Sequence, residues 1–229
     1  MIPRRKLRPL KRLRVAIADR LARAHGQPSS GMQTGFTVNG MPVIFLHNPK
    51  TGGNSIGKQL GVRRLSHSYA SERLKTSAWH NTISVVAVRD PFERFLSGYY
   101  SHILRPDMNG LVKEYGDEIK NISPFEYLQL LDVNQKYGGH QRNWSDYPST
   151  QKPRANIILK LETVNDWPAQ LAEHGINLPS ATIPHANKSE RDKADHQTRL
   201  NLSPEKLAEL ERTVRAYFKE DAKAFGYST

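Results

Sequence analysis

Val43-Ile44-Phe45-Leu46-His47-Asn48-Pro49-Lys50-Thr51-Gly52-Gly53-Asn54-Ser55 reads as a buried strand, a tight turn and the start of a helix. Four consecutive apolar residues suit a parallel strand covered on both faces. The turn that follows carries a lysine, two glycines and two hydroxyls. Such a turn directs successive backbone N–H groups, together with the positive end of a helix, at one place, which suits a phosphate. Glycine lets the backbone approach a ligand closely, and the Lys50 ammonium can stabilise a developing negative bridging oxygen. The segment is not a Walker A loop, because there the lysine follows the glycines and here it precedes them. Taken alone, it is equally readable as a structural strand–helix turn with an exposed lysine.

A second stretch repeats the strand–turn–helix logic. Ile83 to Val88 is an apolar run that leads into Arg89-Asp90-Pro91-Phe92-Glu93-Arg94-Phe95-Leu96-Ser97-Gly98-Tyr99. Asp90 is placed as N-cap, Pro91 at the first helical position and Glu93 at the third. Phe92, Phe95, Leu96, Tyr99 and Ile103 form the apolar stripe of the helix, and Ser97 falls on a face with Arg94 and Ser101. Ligands of open α/β sheets sit off the carboxyl ends of strands, so Arg89 and Ser97 are placed to hold a second phosphate near the one at Lys50–Ser55. Arg94 reads as a surface ion-pairing residue.

Further along, Ser123-Pro124-Phe125-Glu126 opens a helix, Ile157-Ile158-Leu159 is a third strand, and a helix covers about Asp166 to His174. Ser203-Pro204-Glu205 opens the last helix, with Leu207, Leu210, Val214, Tyr217 and Phe218 inward. Strands alternating with helices predict an α/β fold built on a central parallel sheet flanked by helices. Residues 41–229 form the folded domain in this reading, and 1–40 an arm and linker. Gly26 to Gly40, rich in Gly, Ser and Pro, is the linker.

The formal charge of +12 is uneven: residues 1–25 carry nine Lys/Arg against the single acid Asp19, and the rest 25 Lys/Arg against 21 acids. The high charge therefore describes the arm, and the nearly balanced body argues against a nucleic-acid partner. Leu10, Leu13, Ile17, Leu21 and Ala24 make the arm a basic amphipathic helix. Two readings of it stay open: contact with an anionic membrane surface or another partner through residues 1–25, and packing on the domain with the charges in water. No cysteine is present, which excludes disulfides and thiolate chemistry. No secretory signal or membrane span is legible, so the expected compartment is the cytoplasm, peripheral at a membrane if the arm binds one.

The two phosphate-type motifs, in this order and each anchored on a strand, resemble those of the PAPS-dependent sulfotransferases (PAPS is 3′-phosphoadenosine-5′-phosphosulfate), in particular the heparan- and chondroitin-type carbohydrate branch. His47–Ser55 is similar to that family's 5′-phosphosulfate loop, and Arg89–Tyr99 to its 3′-phosphate motif, Arg-Asp-Pro-x-x-Arg-x-x-Ser-x-Tyr. Asp221-Ala222-Lys223-Ala224-Phe225-Gly226-Tyr227 resembles the family's C-terminal end. The resemblance implies a P-loop-like three-layer fold and a sulfuryl transfer from PAPS to a hydroxyl. It implies that Lys50, Thr51, Gly52, Gly53, Asn54 and Ser55 hold the 5′-phosphosulfate, and that Arg89 and Ser97 hold the 3′-phosphate. Asn187-Lys188-Ser189 resembles a further PAPS-contacting segment and reads equally as a surface loop.

Transfer to a hydroxyl also needs a proton acceptor, and histidine suits it because its pKa lies near neutral. His67 and His80 lie between the motifs. His67-Ser68-Tyr69-Ala70 matches the family's base histidine in character and spacing, and His80, directly before a strand, reads as a surface-turn residue. Lys50 completes the catalytic pair. No metal is implied, since cysteines, a His-x-x-x-His pair and a carboxylate cluster are all missing from the sequence. The competing readings are a small-molecule kinase, which lacks its Walker lysine here, and a non-catalytic nucleic-acid binder, which lacks RNA-binding aromatic signatures. The resemblance favours a glycan acceptor. Tyr137, Arg142, Trp144, Tyr147 and Arg154, in the loop from Lys136 to Arg154, could stack on a sugar and hold its acidic groups, or pack on the domain.

Overall fold

A computed structural model describes residues 32–62, 79–103, 115–133, 155–184 and 200–229. The four strands β1 (Gln33–Val38), β2 (Met41–Leu46), β3 (Ile83–Val88) and β4 (Ile157–Lys160) form one sheet in the order β1-β2-β3-β4. The helices are α1 (Gly53–Gln59), α2 (Pro91–His102), α3 (Pro124–Val133), α4 (Trp167–Glu173), α5 (Pro204–Tyr217) and α6 (Lys219–Phe225), with 3₁₀ turns at Asp117–Asn121 and Leu161–Asp166. This is an α/β fold.

The apolar runs behave as expected of central strands. Val43 to Leu46 and Ser84 to Val88 are buried throughout, and β2 pairs β3 in parallel with Val43 opposite Ile83 and Leu46 opposite Val86. The sheet is nevertheless mixed, not wholly parallel. Residues 33–38, expected to be linker, form an edge strand antiparallel to β2, with Val38 opposite Met41. Asn39 and Gly40 close the hairpin with φ of 51° and 78°. Asn-Gly is the pair that a two-residue hairpin with two positive φ angles favours. Thr34 Oγ1 donates to Val43 O (2.8 Å) and Gly35 N to Leu60 O (2.9 Å), so the strand is tied to both β2 and the end of α1. The ordered sheet thus begins upstream of Met41.

The described residues divide into two compact units. The first lies within 1–48, 52–87 and 146–185 and the second within 49–51, 88–145 and 186–229. In the first, Val43, Phe45, Val85 and Leu159 of the sheet pack with Ile56 of α1 and Trp167 of α4. β4 is fastened to β3 by Asn156, whose Oδ1 accepts from Ser84 N (2.9 Å) and Ser84 Oγ (2.8 Å).

In the second unit, Phe95 and Tyr99 of α2, Tyr127 of α3, and Leu210, Val214 and Phe218 at α5 share one apolar cluster. Its helices start where the side chains dictate. Ser203 Oγ accepts from Lys206 N (3.3 Å). Ser123 and Glu126 form a reciprocal capping box, with Glu126 N donating to Ser123 Oγ (3.2 Å) and Ser123 N to Glu126 Oε2 (2.6 Å). Those bonds hold the Glu126 carboxyl below its usual pKa.

Candidate active site

The turn after β2 is built by two residues in the left-handed region. Lys50 has φ 68° and Gly52 φ 74°. A left-handed conformation at the non-glycine Lys50 costs about 1–2 kcal/mol, which the packing around the turn offsets: Pro49 and Thr51 on either side are buried. Gly52 is the N-cap of α1, and having no side chain it leaves the first-turn amides without a side-chain cap. Ser55 N and Ile56 N turn back to Gly52 O (3.0 and 3.4 Å). The helix has only seven residues.

Both glycines are needed for close packing. A Cβ on Gly52 would stand 2.8 Å from Leu161 Cδ1 and 3.5 Å from the Trp167 ring. A Cβ on Gly53 would stand 2.5 Å from His47 Nε2 and closer still to Cδ2. His47 is itself buried and stacks on Phe45, with ring centroids 6.0 Å apart. Trp167 is fixed by its indole N–H, which donates to Lys160 O (2.7 Å). His47, Leu161 and Trp167 thus support the turn from below, a role that motif reading did not assign. Leu161 directly follows β4, the one signal that could have pointed to it. Lys50 and Ser55 are half-buried, Thr51 is buried and Asn54 is exposed.

β2 and β3 are parallel neighbours, so the segments after Leu46 and after Val88 both leave the sheet at its carboxyl edge. Asp90 Oδ1 accepts from Phe92 N (3.0 Å) and Glu93 N (3.1 Å), the N-cap expected of it, with Pro91 in the first turn. Asp90 Oδ2 pairs with Arg215 Nη1 (3.0 Å), and the same nitrogen donates to Ser228 O (3.1 Å). Arg89 pairs with Glu93, Nη2 to Oε2 at 2.9 Å.

Helix α2 is covered nearly all round, leaving Glu93, Ser97 and Ser101 as its half-buried stripe at four-residue spacing. Ser97 therefore shares its face with Glu93 and Ser101, and Arg94 leaves it. Arg94 is no surface residue. It is 1 % exposed, its Nη2 lies 3.3 Å from Asp221 Oδ2, and its guanidinium stacks 4.9 Å from the Phe218 ring centroid. The physical reason is that a helix buried on almost every side presents its arginine to the interior, where a carboxylate must meet it. Two motif residues are thereby accounted for as one buried pair. Tyr99, the last residue of the second motif, is also structural. Its hydroxyl donates to Ile122 O (2.8 Å), and burial, with Glu126 nearby, raises its pKa.

His80 is exposed at the end of a helical segment, followed by the turn at Asn81 and Thr82 that leads into β3. It sits at the amino end of a six-residue strand, on the order of 20 Å from the edge where the turn after β2 emerges. His67, Asn187, Lys188 and Ser189 lie outside the described residues, as do Tyr137, Arg142, Trp144, Tyr147 and Arg154. Among the described residues, no group of three or more His, Cys, Asp or Glu is placed to hold a metal ion, and no helix is long and apolar enough to cross a membrane.

The family model described as the sulfotransferase family matches residues 57–228, most of the chain. The chain belongs to the sulfotransferase family. No curated protein and no solved structure matches it. The matched span of this sulfotransferase-family chain contains Arg89, Ser97 and the Arg94–Asp221 pair but starts just after the turn at Lys50–Ser55. Family membership and the first motif are therefore two separate indications. Membership carries sulfuryl-transfer chemistry in general and, with it, a hydroxyl-bearing acceptor.

Proposed function

We propose that the protein transfers a sulfuryl group from PAPS to a carbohydrate hydroxyl. The observation that carries this reading is the pair of phosphate-type segments emerging at the carboxyl edge of neighbouring parallel strands, in a chain of the sulfotransferase family. The glycine-built turn, with its first-turn amides free of any side-chain cap, fits a 5′-phosphosulfate. Lys50, Thr51, Gly52, Gly53, Asn54 and Ser55 would hold it, and Arg89 and Ser97 would hold the 3′-phosphate. The carbohydrate acceptor rests on the resemblance of both motifs to the carbohydrate branch.

In this mechanism the acceptor oxygen attacks sulfur in line and the bond from sulfur to the bridging phosphate oxygen breaks. His67 takes the acceptor proton. Lys50 and the turn amides neutralise the charge that develops on the leaving phosphate, a kind of stabilisation worth several kcal/mol, about 2.7–4 for a single donor. Calorimetric titration checks the donor. 3′-Phosphoadenosine-5′-phosphate should bind far more tightly than adenosine 5′-phosphate, and Arg89→Ala should remove about ten- to a hundredfold of that preference, as expected for a charge-assisted phosphate contact. Equal affinity of the wild type for both nucleotides, or binding of ATP with Mg²⁺ in their place, would sink the proposal.

A further inference from the structure

We infer that Glu93 is a positioning residue for recognition of the donor's 3′-phosphate: its carboxylate sets the Arg89 guanidinium before the ligand arrives. The inference rests on the donor reading above and adds to it a residue that neither motif assigns.

Three observations carry it. The first is that the pair is not an ordinary surface ion pair. The Arg89 and Glu93 side chains are only 16 % and 30 % exposed and meet at 2.9 Å, whereas fully exposed pairs contribute little because water and salt screen them. The ion pair with Glu93 is also the one polar contact of the Arg89 side chain among the described residues.

The second is that helix stability explains the acid of the pair but not the arginine. A helix favours an acid one turn before a base, and anions rather than cations at its N-terminus. Glu93, in the first turn of α2, is favourable there by itself, whereas Arg89, one residue ahead of the Asp90 N-cap, sets a cation at the positive end of the helix. An arginine kept there suits an anion that is still to come.

The third is that Glu93 is held from behind. Its amide donates to Asp90 Oδ1 (3.1 Å), Asp90 Oδ2 pairs with Arg215 Nη1 (3.0 Å), and Arg215 Nε and Nη2 bind Glu211 Oε1 (3.0 and 2.8 Å). The backbone of Glu93 is thus clamped while its carboxylate reaches back one turn to Arg89. One carboxylate oxygen engages one nitrogen of a guanidinium that has five N–H donors in a planar fork, leaving the rest for phosphate. Ser97 stands one turn further along the same stripe, so Glu93 lies between the two residues assigned to the 3′-phosphate.

The test is isothermal titration of the full chain with 3′-phosphoadenosine-5′-phosphate and with adenosine 5′-phosphate, reading the ratio of the two affinities. Wild type is compared with Glu93→Ala, Glu93→Gln, Arg89→Ala and the Arg89→Ala/Glu93→Ala double variant. Glu93→Ala should lower the ratio roughly three- to tenfold, the cost of immobilising one rotamer-rich side chain at the moment of binding. Glu93→Gln keeps a carbonyl oxygen that can accept from Arg89 and should stay within about twofold of wild type. In the Arg89→Ala background, removing Glu93 should change the ratio no further. A wild-type ratio well above one that Glu93→Ala leaves unchanged or raises overturns the inference and leaves the donor reading standing. A wild-type ratio near one overturns the donor reading and the inference with it.

Discussion

Replacing Gly53 by alanine would be favourable in an unobstructed helix, by about 0.5–1 kcal/mol, because glycine loses more backbone freedom on folding. Here the sign should reverse. The new methyl carbon would lie 2.5 Å from His47 Nε2 and nearer to Cδ2, well inside the ~3.5–4.0 Å of an ordinary contact. The imidazole cannot simply swing away, because it is 6 % exposed and stacked on Phe45. Overpacking of this kind costs about 1–3 kcal/mol. The displacement needed, of more than about 1 Å, puts the cost at the upper end, so Gly53→Ala should destabilise the protein by about 2 kcal/mol net. Urea denaturation monitored by circular dichroism measures this. The control is the same substitution in a His47→Ala background, where the ring is gone and Gly53→Ala should become stabilising by about 0.5–1 kcal/mol. The mechanism therefore predicts a coupling of roughly 2–3 kcal/mol between the two positions. If Gly53→Ala stabilises the wild type, or if the two substitutions are additive, the steric account of the second glycine is wrong.

Asp221→Ala should cost about 3–5 kcal/mol, because it strands the buried Arg94 guanidinium, whereas making the whole pair apolar, Arg94→Met together with Asp221→Leu, should recover most of that loss; a double variant no more stable than Asp221→Ala in urea denaturation would refute the ion-pair account. In the transfer mechanism, His67→Ala should lower turnover about 10²–10⁴-fold with donor affinity kept, and Lys50→Ala should damage both, because the lysine meets the donor in ground and transition states alike. Product formation from labelled PAPS across a glycan panel, with donor affinity titrated separately, checks both variants. His80→Ala should change neither reading, and loss of turnover there would move the base assignment away from His67.

The local code of the chain was sufficient for its repeating elements. Runs such as Val43–Leu46 and Ser84–Val88 are buried in the sheet, and caps such as Asp90, Ser123 and Ser203 act on amides two or three residues away. The two strand–turn–helix segments, Val43–Ser55 and Ile83–Tyr99, were legible for the same reason: each is contiguous in the chain. β1 reads as linker, because its composition is polar and glycine-containing, and the hairpin signal of Asn39-Gly40 is not weighed in that reading. Only the tertiary structure decided the rest. Arg94 is an interior residue because Asp221 and Phe218, far along the chain, come to meet it. Gly52 and Gly53 are required because Leu161, Trp167 and His47 occupy the space where a Cβ would stand. Asp90 is held from outside its own helix by Arg215, which reaches across from α5. Such facts depend on which surfaces touch, and periodicity, which repeats within one element, contains no information about the partner that element will find.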